Sequence, residues 1–180
     1  MSMIDIKYDF FENFKTIENH FKKIPLYSGT EWGTKFQEGN KVYWPGSRSQ
    51  HLAETNPFLW NLIAKELKEK YSHVMMGWQP NFMDAYTHLR LSGDDEKDSP
   101  HQDLESRFTL MVYLSDTNLE SGTCFYHKID DEHVASEPTN TVNFIKNTSV
   151  LFSGDLYHKS KHNYGTDVEN GRLTLNCFIS

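Results

Sequence analysis

Ser99-Pro100-His101-Gln102-Asp103-Leu104, then Arg107-Phe108-Thr109-Leu110-Met111-Val112-Tyr113-Leu114-Ser115 and Glu120-Ser121-Gly122-Thr123-Cys124-Phe125-Tyr126, is the stretch that decides the architecture. His101 and Asp103 stand two apart, so on an extended segment both side chains leave the same face and converge. An imidazole and a carboxylate offer one nitrogen and one oxygen to a metal ion. A second, distant histidine would complete a facial triad that leaves three positions open on ferrous iron. His158 ends the run Val150-Leu151-Phe152-Ser153-Gly154-Asp155-Leu156-Tyr157-His158, which reads as strand, turn and short strand. His162, four residues further on, is the alternative third ligand; His158 is preferred because it ends the apolar strand directly. Arg172 follows fourteen residues after His158 and opens Arg172-Leu173-Thr174-Leu175-Asn176-Cys177-Phe178.

The order His101-x-Asp103, the apolar strand after it, the Glu120–Tyr126 turn and strand, His158 and a basic residue on the next strand resembles the 2-oxoglutarate-dependent Fe(II) dioxygenases, in particular their prolyl-hydroxylase-like branch. The resemblance spans roughly Phe82 to the C-terminus. It implies a double-stranded β-helix, the jelly-roll form shared with cupins, and an oxygenase that uses Fe(II), 2-oxoglutarate and O2. His101, Asp103 and His158 would be the metal ligands. Arg172 suits the far carboxylate of the co-substrate, because a guanidinium stays charged and grips a carboxylate through two parallel hydrogen bonds. Thr174, two along the same strand, shares that face and adds a hydroxyl. Tyr113 stands where such enzymes often carry a co-substrate tyrosine. One departure concerns His88 and Arg90, which precede Gly93 where many relatives have Tyr-x-x-Gly.

The 180 residues fit a single domain that buries roughly 70% of its unfolded surface, so no staples are needed to fold it. Helices are expected in a part spanning about 1–72 and the β-helix core in about 73–180. Many short strands without βαβ alternation give an α+β, mainly β class with the N-terminal helices packed on a sheet. Cys124 and Cys177 fall inside strands and are expected to be free thiols. With no secretory signal and no membrane-length apolar run, a cytoplasmic protein is expected. The net charge of −7 opposes a nucleic-acid partner, and Lys159-Ser160-Lys161-His162 reads as a solvated loop.

Along the chain, Ile4–Tyr8 suits a short strand, and Phe11, Phe14, Ile17 and Phe21 mark an amphipathic helix. A hairpin is expected between Lys35 and Trp44 around Gly39-Asn40, followed by a turn at Trp44-Pro45-Gly46-Ser47-Arg48-Ser49. Arg48 there suits a surface ion pair better than a substrate contact. Thr55-Asn56-Pro57 starts a second helix with Phe58, Leu59, Leu62, Ile63 and Leu67 as its apolar stripe. Val74–Trp78 and Phe82–Leu91 look like strands, and Gly93–Asp98 like a mobile hairpin or lid. Asn147-Thr148-Ser149 is a turn.

The reaction that follows is hydroxylation of a C–H bond in a small molecule, peptide or protein side chain, with release of succinate and CO2. The competing reading is a β-helix domain that binds a metal or small molecule without oxygen chemistry. An iron with open positions and a basic residue for a dicarboxylate favour the enzyme.

Overall fold

The computed structural model describes residues 3–39, 44–77, 79, 83–94, 98–130 and 133–180. Its elements are β1 (Ile4–Lys7), α1 (Phe14–Lys22), β2 (Tyr27–Ser28), α2 (Gly29–Phe36), β3 (Ser47–Arg48), α3 (Leu52–Thr55), α4 (Pro57–Lys70), β4 (Met83–Arg90), β5 (Phe108–Tyr113), β6 (Asn118–Tyr126), β7 (Asn140–Phe144), β8 (Ser149–Ser153), β9 (Tyr157–Ser160) and β10 (Arg172–Ile179). Seven strands form one sheet in the order β1-β8-β5-β10-β4-β3-β2, and three form a second in the order β7-β6-β9. Every pairing between these strands is antiparallel. The described helices all lie before residue 71 and among them none is long and apolar enough to cross a membrane.

Side-chain alternation divides the large sheet into two unlike faces. Leu173, Leu175, Cys177 and Ile179 of β10, with Leu110 and Val112 of β5, Ala85 and Leu89 of β4 and Leu151 of β8, meet Phe14, Ile17 and Phe21 of α1 and Leu59, Ile63 and Leu67 of α4. Each such fully buried aliphatic chain contributes roughly 1.5–3 kcal/mol over its exposed state. On the other face Met111, Tyr113, Val150 and Phe152 pack with Phe125, Val142 and Phe144 of the small sheet. That second layer is apolar at one end only. At the other end the strands carry Tyr86, His88, Arg90, Thr109, Arg172 and Asn176 into a space between the sheets.

Several local expectations change. Lys35 and Phe36 close α2 rather than open a hairpin, and Asn40–Tyr43 lie outside the described residues. This helix has a capping box: Ser28 Oγ accepts from Glu31 N, and the Glu31 carboxylate accepts from Ser28 N. Tyr71–Val74 form turns instead of leading into a strand, because the α4 C-cap continues into bonds from Val74 N and Met75 N to Tyr71 O. Trp78 and Phe82 lie outside the described residues. Phe58, assigned to the apolar stripe of α4, is 62% exposed; the stripe is Leu59, Ile63 and Leu67. Asn147 makes its turn at φ 59°, and its amide clasps Phe11 by donating to the carbonyl O and accepting from the N–H.

Candidate metal centre

Asp103, His101 and His158 come from two segments that the backbone stitches together. His101 N donates to His158 O at 3.0 Å and His158 N to His101 O at 2.9 Å, so the two ligand histidines form an antiparallel pair of their own. Asp103 N donates to Gly154 O at 2.8 Å in the turn before β9. Gly154 is required there: a Cβ would lie 2.1 Å from Ser106 O and 2.6 Å from Asp103 O. The turn between β8 and β9 thereby presses against the loop that carries the carboxylate.

The candidate donor atoms of the three side chains lie within 4.8 Å of one another, and His158 Nε2 is 3.5 Å from an Asp103 oxygen. Two ligands about 2.1 Å from an ion and at right angles would stand about 3 Å apart. Both rings are oriented from behind. His101 Nδ1 bonds Ser99 O and His158 Nδ1 bonds Leu156 O, each at 3.0 Å, which places the proton on Nδ1 and turns the Nε2 lone pair toward the centre. Thr109 Oγ1 donates to Asp103 Oδ2 at 2.7 Å, and Phe152 stands edge-on to the His158 ring at 4.6 Å. Burial pulls the His158 pKa down to about 4, outweighing the opposite pull of Asp103. The imidazole is therefore neutral at pH 7. The short His158–Asp103 approach thus joins a neutral imidazole and a carboxylate, two donors that could hold a metal ion, and is not an ion pair. His162, the alternative ligand, is exposed and is not part of this cluster.

Around the cluster is a cavity of about 160 Å³ whose lining includes Arg48, Tyr86, His88, Arg90, Arg172 and Asn176. Its three arginines differ in what they hold. Arg90 pairs with Asp98 and donates to Ser160 Oγ at 3.1 Å. Burial alone would raise the Asp98 pKa, but the Arg90 charge and the Ser160 hydrogen bonds hold it below the usual carboxylate range. Arg172 is 2% exposed, donates from Nη2 to Gly122 O at 3.1 Å, and has Phe144 at 5.5 Å from its guanidinium carbon. Its Nε has no hydrogen-bond partner, and no carboxylate among the described residues pairs with it. Burial pulls its pKa down to about 10, so it stays cationic at pH 7. The start of β10 that carries it is pinned: Leu173 N donates to Ser115 Oγ at 2.7 Å and Ser115 Oγ donates to Gly171 O at 2.6 Å.

Of the other residues singled out from the sequence, Tyr113 is fully buried beside Phe144, its hydroxyl 2.8 Å from Thr123 Oγ1 and 3.3 Å from Val142 O. Thr174 sits opposite Tyr113 in register on the cavity-facing side of β10 and donates to His88 O at 3.4 Å. Both stand on the Arg172 side of the site, and both hydroxyls already have partners. The supposed solvated loop at Lys159–His162 is half strand: Lys159 and Ser160 belong to β9, and Ser160 is buried on Asp98. Asp98 is likewise an anchored end of the segment read as a lid; Asp95–Lys97 are outside the described residues.

His88, without a role in the sequence reading, holds the Trp44-Pro45-Gly46 turn. Its Nε2 bonds Pro45 O at 2.7 Å, and burial followed by the charges of Arg90 and Arg48 keeps its pKa well below the ordinary value. Gly46, at φ 76°, lies so near β4 that a Cβ would be 2.2 Å from Leu89 O. This turn delivers Arg48 to the cavity, where the expected surface ion pair is absent among the described residues. Only the alternation of β4 (Tyr86, His88, Arg90) hinted that these polar residues share one face.

A mainly antiparallel β domain with a His-x-Asp and a distant His brought together between its sheets is therefore the class that fold and site define. No family model matches the chain, and no curated protein matches it. Its fold is similar to that of a Pseudomonas putida prolyl-4-hydroxylase, with TM-score 0.55 and 13% identity over 99% of this chain and 93% of the other. It is also similar to the non-heme α-ketoglutarate-dependent epimerase SnoN from nogalamycin biosynthesis (TM-score 0.58, 13% identity, 99% and 78% covered). A third is HygX of Streptomyces hygroscopicus, solved with nickel and 2-oxoglutarate bound (TM-score 0.57, 11% identity, 99% and 84% covered). At these identities the likeness is one of fold.

Proposed function

We propose that this chain is an Fe(II)- and 2-oxoglutarate-dependent oxygenase on a double-stranded β-helix, of the prolyl-hydroxylase-like kind, that hydroxylates a C–H bond of a small-molecule, peptide or protein substrate. One observation carries the reading: three candidate metal donors and a buried guanidinium without a carboxylate partner among the described residues line the same cavity. A module that only bound a metal would have no use for a buried cation without its counter-ion, since burying an unpaired charge costs several kcal/mol. The donor set fits the metal: two imidazoles and one carboxylate on one side of the ion suit Fe(II) with open positions. Similarity of fold to an oxidoreductase of the 2OG-Fe(II) oxygenase family from Burkholderia pseudomallei, and to HygX with its nickel and 2-oxoglutarate, points the same way.

In this reading His101, Asp103 and His158 hold the metal, and Arg172 takes the far carboxylate of 2-oxoglutarate through its unpartnered Nε and the N–H groups that Gly122 O does not occupy. Tyr113 and Thr174 flank Arg172, and to donate to the co-substrate their hydroxyls turn away from Val142 O and His88 O. Bound there, Fe(II) with 2-oxoglutarate and O2 supplies the oxidising chemistry, in which 2-oxoglutarate becomes succinate and CO2 while the substrate gains a hydroxyl group. Ser99 O and Leu156 O keep each imidazole in the ligating tautomer, and Thr109 restrains the carboxylate. Phe125, Phe144 and Phe152 close the inner end against water. A reducing, cytoplasmic setting belongs to the reading and agrees with free, buried Cys124 and Cys177.

The test is an anaerobic titration of 2-oxoglutarate into the Fe(II)-loaded protein, following the metal-to-ligand charge-transfer band of the chelate. Wild type should show the band and Arg172→Leu should need at least about a hundredfold more 2-oxoglutarate, about 2.7 kcal/mol, while still binding iron. Wild-type protein that binds iron without a band at any concentration overturns the oxygenase; an unaffected variant overturns the role of Arg172.

A further inference from the structure

Arg48 is the second guanidinium in the cavity with no carboxylate partner among the described residues. Its Nε is buried and has no hydrogen-bond partner. Its guanidinium carbon lies 4.9 Å from the Trp44 ring centre and 5.0 Å from the Tyr86 ring centre, so two aromatic faces hold the group in place. The rings around Arg172 are different ones, Phe144 and, by charge interaction, Tyr113 and Tyr164. The two cations thus line one cavity among different aromatic neighbours.

Arg48 also lines a second, larger hollow of about 610 Å³, which shares Tyr86, Asp103 and Phe178 with the metal cavity and opens outward past His51 and Glu105. Asp103 is thus the ligand at which the outer hollow and the metal cavity meet. The volume suits a small organic molecule, and hollows of this size with a few converging polar groups are the usual form of ligand sites. Asn176 Oδ1, buried in the lining of the metal cavity, is a further polar atom without a partner.

We propose that the substrate is a small molecule bearing an oxyanion, a carboxylate or a phosphate, which Arg48 binds so that the neighbouring carbon stands over the metal side of Asp103. The guanidinium offers parallel N–H groups to two oxygens, and the Trp44–Tyr86 sandwich orders it in advance. His88 acts through the Trp44-Pro45-Gly46 turn as a positioning residue for Arg48. This assignment of substrate class rests on the oxygenase reading, yet the binding it describes needs no oxygen chemistry.

The test uses matched pairs: the proteinogenic L-amino acids beside their C-terminal amides, and hexose and pentose phosphates beside the free sugars. Binding to the metal-free protein is followed by calorimetry, and stimulation of succinate release by the Fe(II) protein is followed in parallel. At least one acid or phosphate should bind, its neutral partner should bind at least tenfold more weakly, and Arg48→Met should weaken the charged member about a hundredfold. Arg48→Lys should recover part of that loss. Binding by acids alone or by phosphates alone identifies the source of the oxyanion, and both support the assignment. Equal binding of charged and neutral members, an unaffected Arg48→Met, or no binding by any member at millimolar concentration overturns it. A wild-type protein that binds a charged member by calorimetry but shows no 2-oxoglutarate band refutes the oxygenase alone.

Discussion

The two faces of the large sheet are made by the same strands and do opposite things. On one, Leu173, Leu175, Cys177 and Ile179 of β10 lie against α1 and α4 in a continuous apolar layer. On the other, Arg172, Thr174 and Asn176 of the same strand face a polar space, and two of these three carry a polar atom without a partner. The difference teaches where each face draws its stability. The helix-covered face is held by area removed from water, which tolerates similar shapes. The inner face depends on directed bonds such as Asp98 with Arg90 and Ser160, so each of its residues has a fixed task.

The sharpest way to break the comparison is to strike the inner face alone. Asp103→Ala should abolish tight Fe(II) binding and succinate formation altogether while the melting transition stays cooperative, because the charged ligand is lost and the apolar layer is not. Metal titration together with a thermal melt checks both halves; unchanged metal affinity would remove Asp103 from the site. Next in size is the opposite strike, Leu175→Ala, in which a fully buried leucine leaves a cavity under α1 and α4. Denaturant unfolding should show a loss of about 2–5 kcal/mol, with the 2-oxoglutarate midpoint of the folded protein unchanged. A shifted midpoint would mean that the two faces are coupled.

A smaller effect comes from pH. His158 in the folded, metal-free protein has a pKa of about 4 against an ordinary 6.5, and His88 shifts in the same direction. Between those values the unfolded chain binds more protons, so this stability is present above pH 6.5 and is lost as pH falls toward 4. The His158 contribution amounts to about 1 kcal/mol between pH 6.5 and 5.5. Melts of metal-free protein across that interval should fall with decreasing pH, and His88→Gln should reduce the slope. A flat or inverted profile would show that these imidazoles are not held neutral. The smallest effect should be that of His162→Ala, an exposed residue outside the cluster. Its iron affinity should equal wild type, and a loss would move the third ligand.

Much of this was legible in residue order because it depends on short-range geometry. His101-x-Asp103 share a face whatever surrounds them, and Phe14, Ile17 and Phe21 or Leu59, Ile63 and Leu67 mark helix faces through their spacing. The helix α2 was legible too, through Ser28 and Glu31 three apart, yet its aromatic residues disguised it. Phe58 misled for the converse reason: apolar character states what a residue tolerates, not which way α4 is rotated against the sheet.

Residue types and spacings alone point to a mainly β chain, two free thiols and a His-Asp-His set, since pattern and donor chemistry are properties of the covalent chain. Which cations are left unpaired is a property of the fold. Arg48, Arg90 and Arg172 are alike in sequence, but Arg90 meets the buried Asp98, which Ser160 of β9 anchors, while the other two have no carboxylate partner among the described residues. That choice rests on contacts between residues far apart in the chain, Ser160 with Asp98 and His88 with the turn at Pro45, and no local rule contains them.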